Sequence, residues 1–194
     1  MNKTFVASHQ VIAAKTTTPN PKLPGTIYTA AAEVEAVGGK ALAVQCDIRS
    51  EEVRGTRAVS KTSMLKKIPQ SVQQAVDAAI KKFGKIDILI NNASAINLAP
   101  TDTIEMKRYD LMHDINARGT FLCTKICLPH LRQAQNPHVL TLSPPLGGLA
   151  PKWLQMAPAY AAAKYGMSLY VMAHAGGFMV GAEARPETYS FYIS

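Results

Sequence analysis

The sequence predicts an α/β fold, a doubly wound parallel sheet with helices on both faces. Three observations predict it. Short apolar runs alternate with stretches of helical period, the rhythm of strand–helix–strand units. Glycines close the helical stretches, at Gly38-Gly39, Gly84 and Gly176-Gly177, as C-terminal stops do. Four polar residues, Lys15, Asp47, Asn91 and Ser143, stand at the C-terminal ends of the apolar runs, the edge where open α/β sheets hold their ligands.

The elements follow in order. Residues 1–10 carry no clear pattern, and Val11–Ala14 reads as a short buried strand. Thr16–Gly25 is rich in Thr and Pro and reads as loop. Ile27, Ala30, Ala31 and Val34 give Thr26–Val37 a helical spacing, and Ala41–Gln45 is a second strand leading into Cys46-Asp47-Ile48. Val53–Gln70 breaks the rhythm with Arg54, Arg57, Lys61, Lys66 and Lys67 and no acid. Ser71 with Gln74 forms a capping box for a helix through Phe83 that Gly84 ends. Ile86–Ile90 is a third strand, followed directly by Asn91-Asn92-Ala93-Ser94. Thr103–Ile115 and Asn116–Gln135 are helical, the second interrupted at Pro129. His138–Leu142 is a fourth strand ending at Ser143, and Pro144–Pro158 is a Pro/Gly-rich loop. A helix carrying Tyr160 follows and fades at Gly176-Gly177, and the tail beyond it has no clean period.

At 194 residues the chain suits one domain with a sizeable core. It is 47% apolar and 18% charged, an ordinary globular mix. The net charge is +8, but without the five bases of Val53–Gln70 it is +3. That segment has no aromatic interleaving, so the charge argues for a solvated run and against a nucleic-acid partner. The three cysteines, Cys46, Cys123 and Cys127, are an odd count, read as reduced thiols of an intracellular protein. Cys123 and Cys127 share a helix face but lack the spacing of a four-ligand set, so core or half-buried thiols are expected and no metal. No apolar run reaches the length of a membrane span. Residues 1–32 have no Asp or Glu and many Thr, as transit peptides do, but also no Arg.

The chemistry centres on Tyr160-Ala161-Ala162-Ala163-Lys164. Alanines favour a helix, and residues four apart lie on one face of it. An ammonium beside a phenol favours the phenolate, and a phenol so tuned can exchange a proton near neutral pH. With seven tyrosines in the chain, a Tyr-xxx-Lys pair arises readily by accident. The pair gains meaning from what surrounds it.

Taken together, Cys46-Asp47-Ile48, Asn91-Asn92-Ala93-Ser94, Asn116 in a long helix, and Ser143 followed by Tyr160-xxx-Lys164 resemble the short-chain dehydrogenase/reductase family. The resemblance covers about residues 11–52 and 71–175, and it implies a Rossmann-like sheet. It also implies NAD(P)(H)-dependent hydride transfer at a secondary alcohol or ketone. Tyr160 would be the general acid/base, and Lys164 would lower its pKa and hold the nicotinamide ribose. Ser143 would bind the substrate oxygen where charge develops. Asn116 would fix its helix and a water of the proton relay. Asp47 and Ile48 would meet the adenine, and Asn91 and Ala93 would line the cofactor cleft. Lys15 stands where a cation meets a 2′-phosphate, which favours NADP(H) over NAD(H). The seventeen positions from Ser143 to Tyr160, with their prolines, suit a bulky or acyl-chain, lipid-like substrate.

The sequence departs from the family in three places. The first strand and its Thr-Gly-xxx-Gly-x-Gly loop are absent, so cofactor binding is expected to be weakened or lost and activity is in doubt. Val53–Gln70 starts Val-Arg and ends in Gln, as translated splice-site codons would, and is read as a retained intron or gene-model insertion. Past about Ala175 the resemblance stops, so the last two strands are expected to be missing. The expected organisation is therefore an unmatched 1–10, a partial dehydrogenase domain over 11–175 with a basic insertion at 53–70, and an unmatched tail over 176–194. The alternative function is a non-catalytic interaction fragment that pairs with itself through 116–135 and 158–176. Its compartment is cytoplasmic by default and mitochondrial or peroxisomal by resemblance.

Overall fold

A computed structural model describes residues 8–21, 24–49, 71–146, 151–178 and 189–192. The chain divides into two compact units, Met1–Gly84 and Lys85–Ser194. The basic segment Val53–Gln70 lies outside the described residues.

In the first unit β1 (His9–Ala14) runs parallel to β2 (Lys40–Gln45), in register from His9 opposite Lys40 to Ala14 opposite Gln45. Parallel neighbours need a crossover, and α1 (Ile27–Ala36) supplies it. Thr26 opens α1: its hydroxyl accepts from the Thr29 amide at 3.1 Å, and Thr29 Oγ1 accepts from the Thr26 amide at 2.8 Å. At the far end of α1, a Cβ on Gly39 would stand 2.7 Å from Val34 Cγ1 and 2.9 Å from the Ser8 carbonyl, so the chain can turn there only without a side chain.

The next helix, α2 (Val72–Phe83), has the expected capping box. Ser71 Oγ accepts from the Gln74 amide at 3.3 Å and Gln74 Oε1 from the Ser71 amide at 3.2 Å. Gly84 ends the helix in the left-handed region at φ 81°, as glycine does at little cost. Val72, Ala75, Val76 and Ala79 are buried, the i, i+3, i+4, i+7 stripe of a helix lying on a core. Lys82 Nζ donates to the Ala41 carbonyl at 2.7 Å and fastens α2 to β2.

The second unit holds β3 (Ile88–Asn91), β4 (His138–Leu142) and β5 (Tyr189–Tyr192), all parallel, in the order β3-β4-β5. Its helices are α3 (Met106–Met112), α4 (Thr120–Leu131), α5 (Pro151–Met156) and α6 (Pro158–Phe178), with a π-helical stretch His113–Gly119 between α3 and α4. Leu131, Ala163 and Met167 are fully buried, and Met112 nearly so.

Four expectations need correction. The stretch past Ala175 is not without a strand, since Tyr189–Tyr192 pairs with β4. Four residues are too few to show a period, and the partner edge decides the pairing. The 144–158 loop contains α5, with Pro151 at its first position, where a missing N–H costs nothing. Pro129 does not interrupt its helix but sits in the last turn of α4. The helix around Tyr160 does not fade at Gly176-Gly177 but runs through both to Phe178.

Candidate active site

The nine residues expected to form a site fall into two groups. Lys15, Asp47 and Ile48 belong to the first unit, while Asn91, Ala93, Asn116, Ser143, Tyr160 and Lys164 belong to the second.

In the first unit the parallel pairing of β1 and β2 sets the residues that follow them side by side. Lys15 follows β1 and Asp47 stands just past β2, and Lys15 Nζ lies 3.5 Å from Asp47 Oδ2. Sequence reasoning missed a third member, Arg49. Its guanidinium grips both carboxylate oxygens, Nε to Oδ1 at 3.0 Å and Nη2 to Oδ2 at 2.6 Å. The Arg49 amide adds a bond to Oδ1 at 3.1 Å. The hydrogen bond from the Arg49 side chain is the main reason the Asp47 carboxyl is held down at about 2, below its ordinary 3.8, with Lys15 adding to it. Ile48, between the two, is half-buried.

In the second unit Asn116 sits inside the π-helical stretch and is fully buried. Its Oδ1 accepts from the Ala95 amide at 2.8 Å and its Nδ2 donates to the Ala95 carbonyl at 2.9 Å. One side chain thus ties the helix to the segment leaving β3. Asn91 closes β3, and its amide donates to Thr124 at 3.2 Å and Thr141 at 3.3 Å. That amide is committed to joining α4 and β4, while Ala93 beyond it is exposed.

Tyr160 packs, with Ala95, Ile104 and Tyr109, against the buried cluster Met112, Ala159 and Ala163. One turn on, Lys164 Nζ donates to the Leu142 carbonyl at 2.5 Å. Burial lowers the Lys164 pKa from its ordinary value. A further turn on, Ser168, which sequence reasoning also missed, donates to the Pro144 carbonyl at 2.5 Å. A signal for it existed in the helical stripe Tyr160, Lys164, Ser168. Between the two anchored carbonyls lies Ser143, 3% exposed, whose Oγ is buried with no hydrogen-bond partner among the described residues.

An apolar cavity of about 330 Å³ is lined by Leu146, Leu154, Pro158, Ala162, Tyr165 and Leu169. Ala162, Tyr165 and Leu169 stand two, five and nine positions after Tyr160. At 3.6 residues per turn that is the opposite side of α6, so the cavity is not where Tyr160 would act. The three cysteines form no disulfide, and Cys46 and Cys127 are buried while Cys123 is half-buried, as expected. Burial pushes Cys46 up to about 11 and Cys127 up to about 12, so neither is a ready nucleophile.

A tyrosine and a lysine one turn apart, a buried serine at a strand end and an asparagine inside the preceding helix, all on a parallel α/β scaffold, define a class of protein. The sequence profile described as short chain dehydrogenase matches residues 55–176, and the chain belongs to that family. Among its relatives is hydroxysteroid dehydrogenase-like protein 2. The zebrafish protein (Danio rerio) is 52% identical over 168 residues, covering 87% of this chain and 36% of that one. The human protein (Homo sapiens) is 51% identical over the same span and coverage. The chain thus spans about a third of the length of these relatives. A crystal structure of a short chain dehydrogenase from Mycobacterium thermoresistibile superposes with a TM-score of 0.76 at 42% identity, over 90% of this chain and 55% of that one.

Proposed function

We propose that the chain carries the reaction centre of an oxidoreductase that interconverts a secondary alcohol and its ketone with a nicotinamide cofactor. One observation carries the reading: the Ser143 hydroxyl is buried and unpartnered among the described residues, on a strand end fastened by Lys164, which stands one turn from Tyr160. Buried hydroxyls have partners, and a substrate oxygen is the partner this one lacks. A reduced nicotinamide would supply hydride to the carbonyl carbon. Tyr160 would give its phenolic proton to the carbonyl oxygen, and Ser143 Oγ would donate a hydrogen bond to that oxygen as charge builds on it. Lys164 would hold the nicotinamide ribose. Asn116 holds the frame by its grip on Ala95 and would seat a water of the relay. Asn91 and Ala93 would border the cofactor.

In the first unit, Asp47 and Ile48 would meet the adenine. Lys15 and Arg49 gather positive charge around Asp47, which supports NADP(H) over NAD(H). Within the first unit the fit to a pyrophosphate is poor. The link from β1 to α1 carries one glycine, Gly25, and the α1 N-terminus is capped by Thr26's own side chain rather than offered to a pyrophosphate. Binding is therefore weak. The relatives' name and the proline-containing 144–158 segment support a bulky, lipid-like alcohol as substrate, and cysteines outside any disulfide suit an intracellular, cytoplasmic setting.

Calorimetry with NADPH and NADH tests the cofactor assignment. NADPH is expected to bind more tightly than NADH, and both only weakly. Tighter NADH binding overturns the preference, and submicromolar NADPH binding overturns the weakness. Consumption of NADPH with 2-octanone as probe is expected to vanish in Tyr160→Phe. Wild-type rates in that variant overturn the mechanism.

A second reading is favoured by a different observation. Phe121 on α4 and Leu169 and Met172 on α6 are large apolar side chains left exposed, with Phe121 and Tyr170 rings 5.3 Å apart. Such a surface suits a homodimer through 116–135 and 158–176. Light scattering that shows a dimer, in a chain without turnover, selects this reading.

A further inference from the structure

We propose that Ser168 is a positioning residue for Ser143. The assignment rests on the oxidoreductase reading above, in which the Ser143 hydroxyl meets the substrate oxygen. Its physical basis is the way α6 holds the chain leaving β4. Tyr160, Lys164 and Ser168 recur every four residues and so share one stripe of the helix. Lys164 takes the Leu142 carbonyl and Ser168 the Pro144 carbonyl, each at 2.5 Å. These two carbonyls flank Ser143 on either side. One helix therefore carries the acid/base tyrosine and also sets the backbone on which the serine rides.

The residues after Ser143 make this anchor necessary. Positions 144 and 145 are both proline, and proline has no N–H. The segment cannot be fastened through main-chain donors, so its carbonyls are the handles left to it. A buried helical serine ordinarily returns its proton to the carbonyl four residues back. Ser168, fully buried, instead donates to a carbonyl 24 residues away in sequence. Among the described residues the Ser143 Oγ has no hydrogen-bond partner, so none of them sets its direction by such a bond. Its aim follows from its backbone, and hence from Ser168.

The test uses the full 194-residue chain without any nucleotide, and reads Ser143 itself by NMR. The readouts are the Ser143 side-chain couplings and amide exchange at Ser143 and Leu146, the two residues of this span that carry an N–H. In Ser168→Ala the couplings are expected to average over rotamers. Exchange is expected to rise about tenfold, the change that follows loss of one hydrogen bond of ordinary net strength. Ser168→Thr is expected to restore both. Ser71→Ala serves as control: it removes another buried hydroxyl, the α2 cap, and should lower stability while leaving Ser143 unchanged. Should Ser168→Ala not fold, Ser168→Cys keeps the volume with a much weaker donor and is expected to loosen Ser143 likewise. An unchanged Ser143 in Ser168→Ala or in Ser168→Cys overturns the assignment. Failure of Ser168→Thr to restore it, or a Ser71→Ala chain with the same changes at Ser143, does so equally. Absence of any nicotinamide binding would defeat the oxidoreductase reading while leaving these readouts where they are, so the two failures are told apart.

Discussion

The two units hold their polar groups in opposite ways. In the first, Lys15, Asp47 and Arg49 meet near the surface, with Lys15 54% and Arg49 36% exposed, and charge holds them together. In the second, Asn116 and Ser168 are fully buried and Ser143 nearly so, and bonds to backbone carbonyls and amides hold the arrangement. A surface ion pair is screened by water and salt and adds little stability. A buried polar group is costly when left unpaired. The difference separates what can adjust from what cannot. Exposed cations can reorganise around an incoming anion, while the groups proposed to move a proton sit in a frame that tolerates little displacement.

Three measurements sharpen or break this contrast. The largest effect is expected at Asn116→Ala, which strands the amide and the carbonyl of Ala95 together. Ala95 is half-buried, so each orphan costs at most about 1–3 kcal/mol and the loss should be roughly 1–4 kcal/mol by urea unfolding. A loss under about 1 kcal/mol would mean that the second unit is not held as described. An intermediate effect is expected at Ser71→Ala in the first unit, about 1 kcal/mol for a lost N-cap, and Ser71→Asp should recover most of it.

The smallest effect belongs to the ion cluster. At neutral pH Arg49→Ala should change stability by less than about 1 kcal/mol, and less still in high salt. Acid exposes the cluster's contribution. Because Asp47 is held at about 2, below its ordinary 3.8, its contribution is fully present above pH 3.8 and lost as pH falls toward about 2. Unfolding midpoints should therefore show an Asp47-dependent drop in that window, absent in Asp47→Asn. An equal drop in the variant would place the acid sensitivity elsewhere.

How much was legible beforehand differs by element. The strands read at 11–14, 41–45 and 138–142, the Ser71 capping box and the Gly84 stop were readable because they depend on neighbours a few residues away, though the first two strands begin two and one residues earlier. The Tyr160–Lys164 pair was readable for the same reason. Arg49 was not, since nothing in its position two after Asp47 says that it turns back to grip both oxygens. The π-helical stretch was hidden as well, because its extra residue is decided by where Asn116 must reach. α5 was masked by a composition rich in proline and glycine, and β5 by its brevity.

By itself the sequence determined the alternation of strands and helices and the one face shared by Tyr160, Lys164 and Ser168, because hydrophobic period and helical pitch are local properties of a chain. Only the tertiary structure decided which distant carbonyls those side chains would take, that Asn116 would spend itself on Ala95, and that the Ser143 hydroxyl would be buried with no partner among the described residues. Such pairings join residues more than twenty positions apart. They are set when packing excludes water and leaves each polar group to the partner within its reach.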